Sequence, residues 1–168
     1  MALYLAIPAR CHRRAWKQFQ KELLAAGEIT GRQKSYGAFL RQRRRYASEK
    51  TIPAGYVPDT MYFLMDENES KILGRISIRH RLNEYLLNNP GGHIGYAVAP
   101  SERHKGYATE QLRLALEKCR EMGIGPVLIT CHKENIASAK VIQKNGGVLE
   151  DERVSGEGKV FQRYWITL

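Results

Sequence analysis

Apolar and polar positions along this chain change period several times, and each change marks an element. Ala2 to Ile7 is a short apolar run ended by Pro8, which predicts a first strand. From Arg14 to Ala26, the residues Ala15, Trp16, Phe19, Leu23 and Ala26 recur every three or four positions, the spacing of one helix face. Gly27 closes that helix, because a glycine accepts the left-handed conformation of a C-terminal cap. Glu28 to Gly31 reads as a turn. A second helix is predicted over Tyr36 to Ser48, with Phe39, Leu40 and Tyr46 inward and Arg41, Arg43, Arg44 and Arg45 on the other face. Thr51 to Pro58 is a loop, punctuated by two prolines and a glycine.

Beyond that loop the period falls to two. Met61 to Met65 and Ile72 to Arg79 predict strands joined by the polar turn Asp66 to Ser70. In the second of these, Ile72, Gly74, Ile76 and Ile78 alternate with Leu73, Arg75, Ser77 and Arg79. Asn88 to Gly92 is a strong turn signal, and His93 to Val98 is the next strand. Thr109 to Met122 is helical: Leu112, Ala115, Leu116, Cys119 and Met122 form one stripe. Val127 to Cys131 is short and apolar throughout, which predicts a buried, parallel position. Asn135 to Asn145 is a further helix ended by Gly146-Gly147. Val148 to Glu152 and Phe161 to Thr167 are final strands around a turn at Gly156 to Lys159. The order predicts an α/β fold with a mixed sheet, in one domain spanning residues 1–168.

Composition narrows the class. At 168 residues the chain can bury a core without disulfide or metal staples. No apolar run approaches the ~18 residues of a membrane span. The apolar opening is followed, not preceded, by basic residues, the reverse of a secretory signal, so a cytoplasmic location is expected. Cys11, Cys119 and Cys131 are widely spaced and form no CxxC pair, and Cys131-His132 lacks partners, so no metal is expected.

Charge changes the picture more. Residues 1–57 hold 12 Lys/Arg against 3 Asp/Glu, a net +9, whereas residues 58–168 hold 15 against 14. The excess therefore sits in a basic N-terminal region, 1–57, ahead of a nearly neutral core, 58–168. Such asymmetry suits an acidic substrate or a nucleic acid, or is simply a solvated face.

The candidate chemistry lies in Val98-Ala99-Pro100-Ser101-Glu102-Arg103-His104-Lys105-Gly106-Tyr107-Ala108-Thr109, between a strand and a helix. Gly106 and Ala108 let a ligand approach the backbone closely. Free amides at the start of the helix, beside Arg103, His104 and Lys105, make a phosphate site. Neither a Walker A loop nor a GxGxxG fingerprint is present.

This segment resembles the signature of the GNAT superfamily of acetyl-CoA-dependent N-acetyltransferases, whose loop reads [RQ]-x-x-G-x-[GA] after a strand ending in valine. Here it is Arg103-His-Lys-Gly106-Tyr-Ala108 after Val98. Gly95 to Pro100 resembles the family's fourth strand. Asn135-Ile-Ala-Ser138, with Lys144-Asn-Gly146, resembles the helix after its fifth strand, in the variant of ribosomal-protein acetyltransferases. Element order fits from about residue 58 to 168 and more loosely before.

The resemblance implies a GNAT-like fold: a mostly antiparallel sheet whose strands four and five splay apart, flanked by helices. It implies that the amides of 103 to 109 hold the CoA pyrophosphate, with Lys105 or Lys140 meeting the 3′-phosphate. Ala97, Val98 and Ala99 would bond the pantetheine through their backbone, and Asn135 and Ser138 would bond its arm. The Val98 N–H would polarise the thioester carbonyl. The acceptor is then an amine, which must lose a proton before it attacks. His93 stands where many members carry a glutamate base, and it titrates near neutrality; Tyr96 and Glu134 are further candidates. A structural, hydrogen-bonded histidine is the competing reading. The slot of the usual tyrosine acid is Ile142, with Tyr107 and Tyr164 as substitutes.

The expected function is acetyl transfer from acetyl-CoA to a primary amine, with a cationic acceptor wall favouring acidic groups on that amine. A homodimer is expected by analogy alone. Two other readings stand beside it: a CoA-binding protein without catalysis, suggested by Ile142, and a basic RNA- or ribosome-associated module using Arg41 to Arg45. Charge is the only warrant for the second. Arg79-His80-Arg81-Leu82-Asn83 reads equally as acceptor lining or as a charged strand end.

Overall fold

A computed structural model describes all 168 residues. Chain order is β1 (Leu3–Ala6), α1 (Arg13–Ala25), α2 (Tyr36–Tyr46), β2 (Asp59–Asp66), β3 (Gly74–Arg79), α3 (Glu84–Asn88), β4 (Ile94–Val98), α4 (Tyr107–Glu121), β5 (Val127–His132), α5 (Ile136–Lys144), β6 (Val148–Val154) and β7 (Val160–Ile166). Strands pair as two sheets, β1-β2-β3-β4 and β5-β7-β6, and all five ladders are antiparallel. This is the expected α/β fold of mostly antiparallel strands flanked by helices.

One expectation needs correction. The apolar run at 127–131 predicted a parallel partner, yet the only ladder of β5 is antiparallel, to β7. Its burial, interrupted only at Thr130, comes instead from helix packing and from the edge of β4, which it touches without forming a ladder. A second difference is α3. Five residues are too few to show a helical period; the Asn83 side chain starts the turn by accepting the Leu86 N–H at 2.9 Å.

Alternation in β2 splits the interior into two cores. Tyr62 joins Ile76, Ile78, Ile94, Leu112, Leu116, Ile129 and Ile142 in an aliphatic core beneath α4 and α5. Phe63 and Met65 face the other way, into an aromatic core with Trp16, Phe19, Tyr36 and Phe39 from α1 and α2. There Trp16 lies 5.1 Å from Tyr36 and 5.4 Å from Phe39, ring centre to ring centre, spacings at which aromatic pairs attract. Cys119, on the predicted stripe of α4, is fully buried, and burial pushes its thiol up to about 11. No helix is long and apolar enough to cross a membrane.

Candidate active site

The two sheets meet at one point and then part. The His93 N–H donates to the Leu128 carbonyl at 2.7 Å, and the Leu128 N–H donates back to His93 Nδ1 at 3.0 Å. A side chain thus replaces the next rung of a ladder. Gly92 precedes it at φ +59°, and a Cβ there would collide with the Leu128 carbonyl, so only glycine brings the strands this close. Arg79 holds the turn from behind, donating to the Gly91 and Gly92 carbonyls at 3.2 and 3.0 Å. Arg81 pairs with Glu49, and His80 shares a hydrogen bond with Thr60. The 79–83 cluster is therefore a braced strand end.

Register decides which backbone groups enter the gap beyond that pin. The Arg79 N–H donates to the His93 carbonyl and the Ala99 N–H to the Leu73 carbonyl. Antiparallel ladders alternate, so Gly95 and Ala97 also spend their groups on β3. The N–H groups of Tyr96 and Val98 point the other way, into the gap. Ala97 and Ala99, expected to offer backbone bonds to a ligand, have theirs committed to β3. The same alternation runs along β5: the Lys133 N–H donates to the Val160 carbonyl, so Thr130 and His132 face the gap.

A cleft of about 530 Å³ opens there, lined by Tyr96, Ala97, Val98, Arg103, His104, Gly106, Tyr107, Ala108, Thr109, Asn135 and Ser138 among others. Ten of the residues expected to hold a ligand thus converge, together with Tyr96. His104 and Gly106 take positive φ, +61° and +82°, and curl the loop onto the start of α4. The first intrahelical donor is Glu110, to the Gly106 carbonyl, so the amides of Tyr107, Ala108 and Thr109 are free to bind an anion.

Other expected residues sit differently. Lys105 does not line the cleft; it pairs with Glu102 at 2.9 Å, and Lys71 takes the other oxygen of that buried carboxylate. These contacts, that of Lys71 first, hold the Glu102 carboxyl below its usual range. Lys140 is exposed and outside the lining. Asn135 caps α5 through Oδ1, which accepts the Ser138 N–H at 3.1 Å, so only its NH2 remains for a ligand. The His93 ring is absent from the lining and 7% exposed; burial, helped by the Arg79 charge, pushes it down to about 4. Ile142 is fully buried in the aliphatic core.

Tyr96 and Ser138 come together across the gap, 2.8 Å between hydroxyl oxygens. Burial raises the Tyr96 phenol, with the Ser138 hydrogen bond acting against it. Tyr164 is buried and hydrogen-bonded to Gln162, whereas Tyr107 lines the cleft. Glu28 also lines the cleft and pairs with Arg103, whose guanidinium further donates to the Val98 carbonyl at 3.3 Å. Nothing in the sequence marked Glu28, which lies 75 positions from its partner. On α2, Arg43 turns inward to Asp59, at 2.7 Å, while Arg41, Arg44 and Arg45 stay exposed. Elsewhere, donor atoms of Cys11, His12 and Glu69 lie within 4.8 Å of one another.

Comparison with known proteins agrees with this fold. Residues 15–148 match the sequence profile of the acetyltransferase (GNAT) domain. An uncharacterized N-acetyltransferase, YnaD of Bacillus subtilis, is 31% identical over 80 residues, 47% of this chain and 44% of that protein. The matched stretch thus spans less than half of that relative. Among solved structures, the ribosomal L7/L12 alpha-N-protein acetyltransferase RimL in complex with coenzyme A superposes with a TM-score of 0.72 at 18% identity, covering 100% of this chain and 95% of that one. A GNAT-family acetyltransferase from Bordetella pertussis gives 0.68 at 17% identity, over 96% and 93%. A chimera built on the spermidine N-acetyltransferase SpeG from Vibrio cholerae gives 0.65 at 14%, over 99% and 96%. At these identities the structural likeness speaks to the fold.

Proposed function

Because this chain belongs to the GNAT acetyltransferase family, we propose that it moves the acetyl group of acetyl-CoA directly onto a primary amine, without an acyl-enzyme intermediate. The observation that carries this reading is the Val98 N–H, left unspent by β3 and facing a cleft that ends on the free amides of α4.

The pyrophosphate rests on the amides of Tyr107 to Thr109, where the helix dipole adds to the hydrogen bonds. Pantetheine lies between the gap-facing groups of β4 and β5, with the Asn135 NH2 as a further donor. The Val98 N–H polarises the thioester carbonyl and stabilises the tetrahedral oxyanion, a role worth ~3 kcal/mol or more in other enzymes. The amine attacks, a C–N bond forms and the C–S bond breaks. The amine proton leaves to water in the open cleft, because the His93 ring is outside it. Tyr96 is the acid. Its raised phenol stays protonated at neutral pH, which disqualifies it as the base and suits it to protonate the thiolate; solvent restores the proton through Ser138. The demand on that acid is modest, because a thiol of pKa near 8.5 is already a fair leaving group. The acceptor carries acidic groups, the complement of the +9 on residues 1–57. A cytoplasmic location belongs to the same proposal.

Thiol release from acetyl-CoA, measured against amines grouped by charge and including peptide N-termini, tests the reading. Turnover on one class is expected. Acetyl-CoA binding with no turnover on any amine would instead favour a CoA-binding protein whose acid slot was lost to Ile142.

A further inference from the structure

On the other side of the same sheet lies a recess of about 350 Å³, walled by α1, α2, β2, β3 and the loop between the two helices. Its charged members are Arg32, Lys34, Arg43 and Arg75, and no acidic residue lines it. Arg43 is neutralised in part by Asp59, yet its Nε is buried without a partner. Arg75 is the unusual member. Its guanidinium, half-buried on β3, has no hydrogen bond and no ion pair. Burial first, then the Arg43 charge, pulls it below the usual arginine range. The acid that Arg75 feels, Glu28, is committed to Arg103. Gln20 adds a side chain that is 9% exposed, with its Oε1 unpartnered. A desolvated guanidinium facing another is costly unless an anion joins them.

Position gives the recess a use. Arg75 pairs with Ala97 across the β3–β4 ladder and with Phe63 across β2–β3. Its side chain therefore shares the aromatic-core face, and its Cα stands ~5.5 Å from that of Ala97, as in any hydrogen-bonded antiparallel pair. Ala97 adjoins Val98. The backbone of Arg75 is thus one ladder rung and one residue from the amide assigned to the thioester.

We propose that this recess is the anion subsite of the acceptor, in which Arg75 and Arg43 grip a carboxylate or phosphate of a small amine while its nitrogen reaches the gap. The proposal rests on the acetyl-transfer reading above and adds the substrate class and the residues that select it. Arginine suits the task, because its planar fork meets two oxyanion oxygens at once.

Matched acceptor pairs test it: amino acids against their carboxamides, and O-phosphoethanolamine against ethanolamine. In the unaltered protein the anionic member of at least one pair is expected to have a kcat/KM about 10- to 100-fold higher, which also tells carboxylate from phosphate. Arg75→Gln is expected to bring that ratio to about one through KM for the anionic amine, and Arg75→Lys to restore part of it. Retained acetyl-CoA binding verifies that each variant is folded. Turnover with no preference for anionic members, or a preference that Arg75→Gln leaves intact, overturns the subsite while leaving acetyl transfer standing. A second readout needs no turnover: Trp16 lines the recess, so its fluorescence is expected to titrate with O-phosphoethanolamine and with inorganic phosphate, and not in Arg75→Gln. That titration without acetyl transfer would sink the reaction and keep the subsite; no titration and no anionic preference would sink the subsite.

Discussion

On the proposed reading, the two faces of the sheet take their ligands in opposite ways. On the α4–α5 face, recognition belongs to the backbone: three free helix amides, the Val98 N–H, and small residues that let a ligand approach. On the α1–α2 face it belongs to side chains, with guanidiniums held among aromatic rings. A backbone site is positioned by the ladder and costs no side-chain entropy. A side-chain site can change its specificity through one substitution without disturbing the strands. A fold divided this way keeps one donor site fixed while its acceptor face varies.

The sharpest way to break this contrast is to remove one amide at a time. Val98→Pro deletes an N–H that β3 does not use, so the ladder survives. It is expected to lower kcat by about 10²- to 10³-fold, as loss of an oxyanion donor does elsewhere. Ala97→Pro deletes a donor that β3 does use and is expected to unfold the sheet edge instead. Equal kinetic damage with equal loss of melting temperature in both variants would refute the assignment of parity along β4. Next in size is Gly106→Val. A β-branched residue at φ +82° is strained, and the loop must turn its amides away. Calorimetry is expected to show acetyl-CoA binding weakened by roughly 30- to 100-fold, the loss of two or three charge-assisted hydrogen bonds made from backbone.

The same division explains what was legible. The loop from Arg103 to Thr109 announced itself because a backbone anion site needs glycine and small residues at fixed spacing, and spacing is visible in a sequence. Phe39, Ile76 and Leu112 fell on their faces by period alone. Parity along β4 was not legible, because it depends on which residues of β3 stand opposite, a tertiary fact. The backbone bonds expected of Ala97 and Ala99 are spent inside the sheet for that reason, although Ala97 still lines the cleft.

 The Ala99 N–H in particular goes to Leu73, which no local pattern announces. Arg75 hid in plain alternation: between Leu73 and Ser77 it read as one more outward residue of a strand, and only the packing of α1 and α2 over it makes it a desolvated charge. His93 was legible as a special residue, with a structural, hydrogen-bonded role among its two readings, but the partner of its Nδ1 was not, because it lies 35 positions away.

His93 offers a test of intermediate size, because it joins the two sheets without entering the cleft. Its folded value of about 4 lies below the ordinary 6.5, so the folded state disfavours the proton. The stabilisation is complete above about pH 6.5, shrinks as pH falls toward 4, and is constant below that. Over that window it amounts to about 2–3 kcal/mol. Chemical denaturation between pH 4 and 7 is expected to show this decline, and His93→Gln to flatten it. The pH profile of kcat/KM is expected to keep its shape in His93→Gln. A profile that loses its acid limb would return His93 to the role of base.

The smallest expected effect lies where the two faces touch. Glu28 follows α1, yet its carboxylate reaches the donor cleft and holds Arg103. Both side chains are more than a third exposed, so the pair contributes little to stability. Its effect on binding is larger than its effect on folding. A carboxylate at the cleft repels the phosphates of CoA, and it occupies the guanidinium best placed to meet them. Glu28→Gln removes the repulsion and frees Arg103. Acetyl-CoA is therefore expected to bind about 3- to 10-fold more tightly, with a melting temperature changed by no more than a few degrees, and the gain is expected to shrink at high salt, where exposed charges are screened. Arg103→Gln in the same background is expected to cancel the gain. If Glu28→Gln instead weakens binding, the ion pair is a brace that shapes the loop for its ligand, and the two faces are coupled through it rather than merely adjacent.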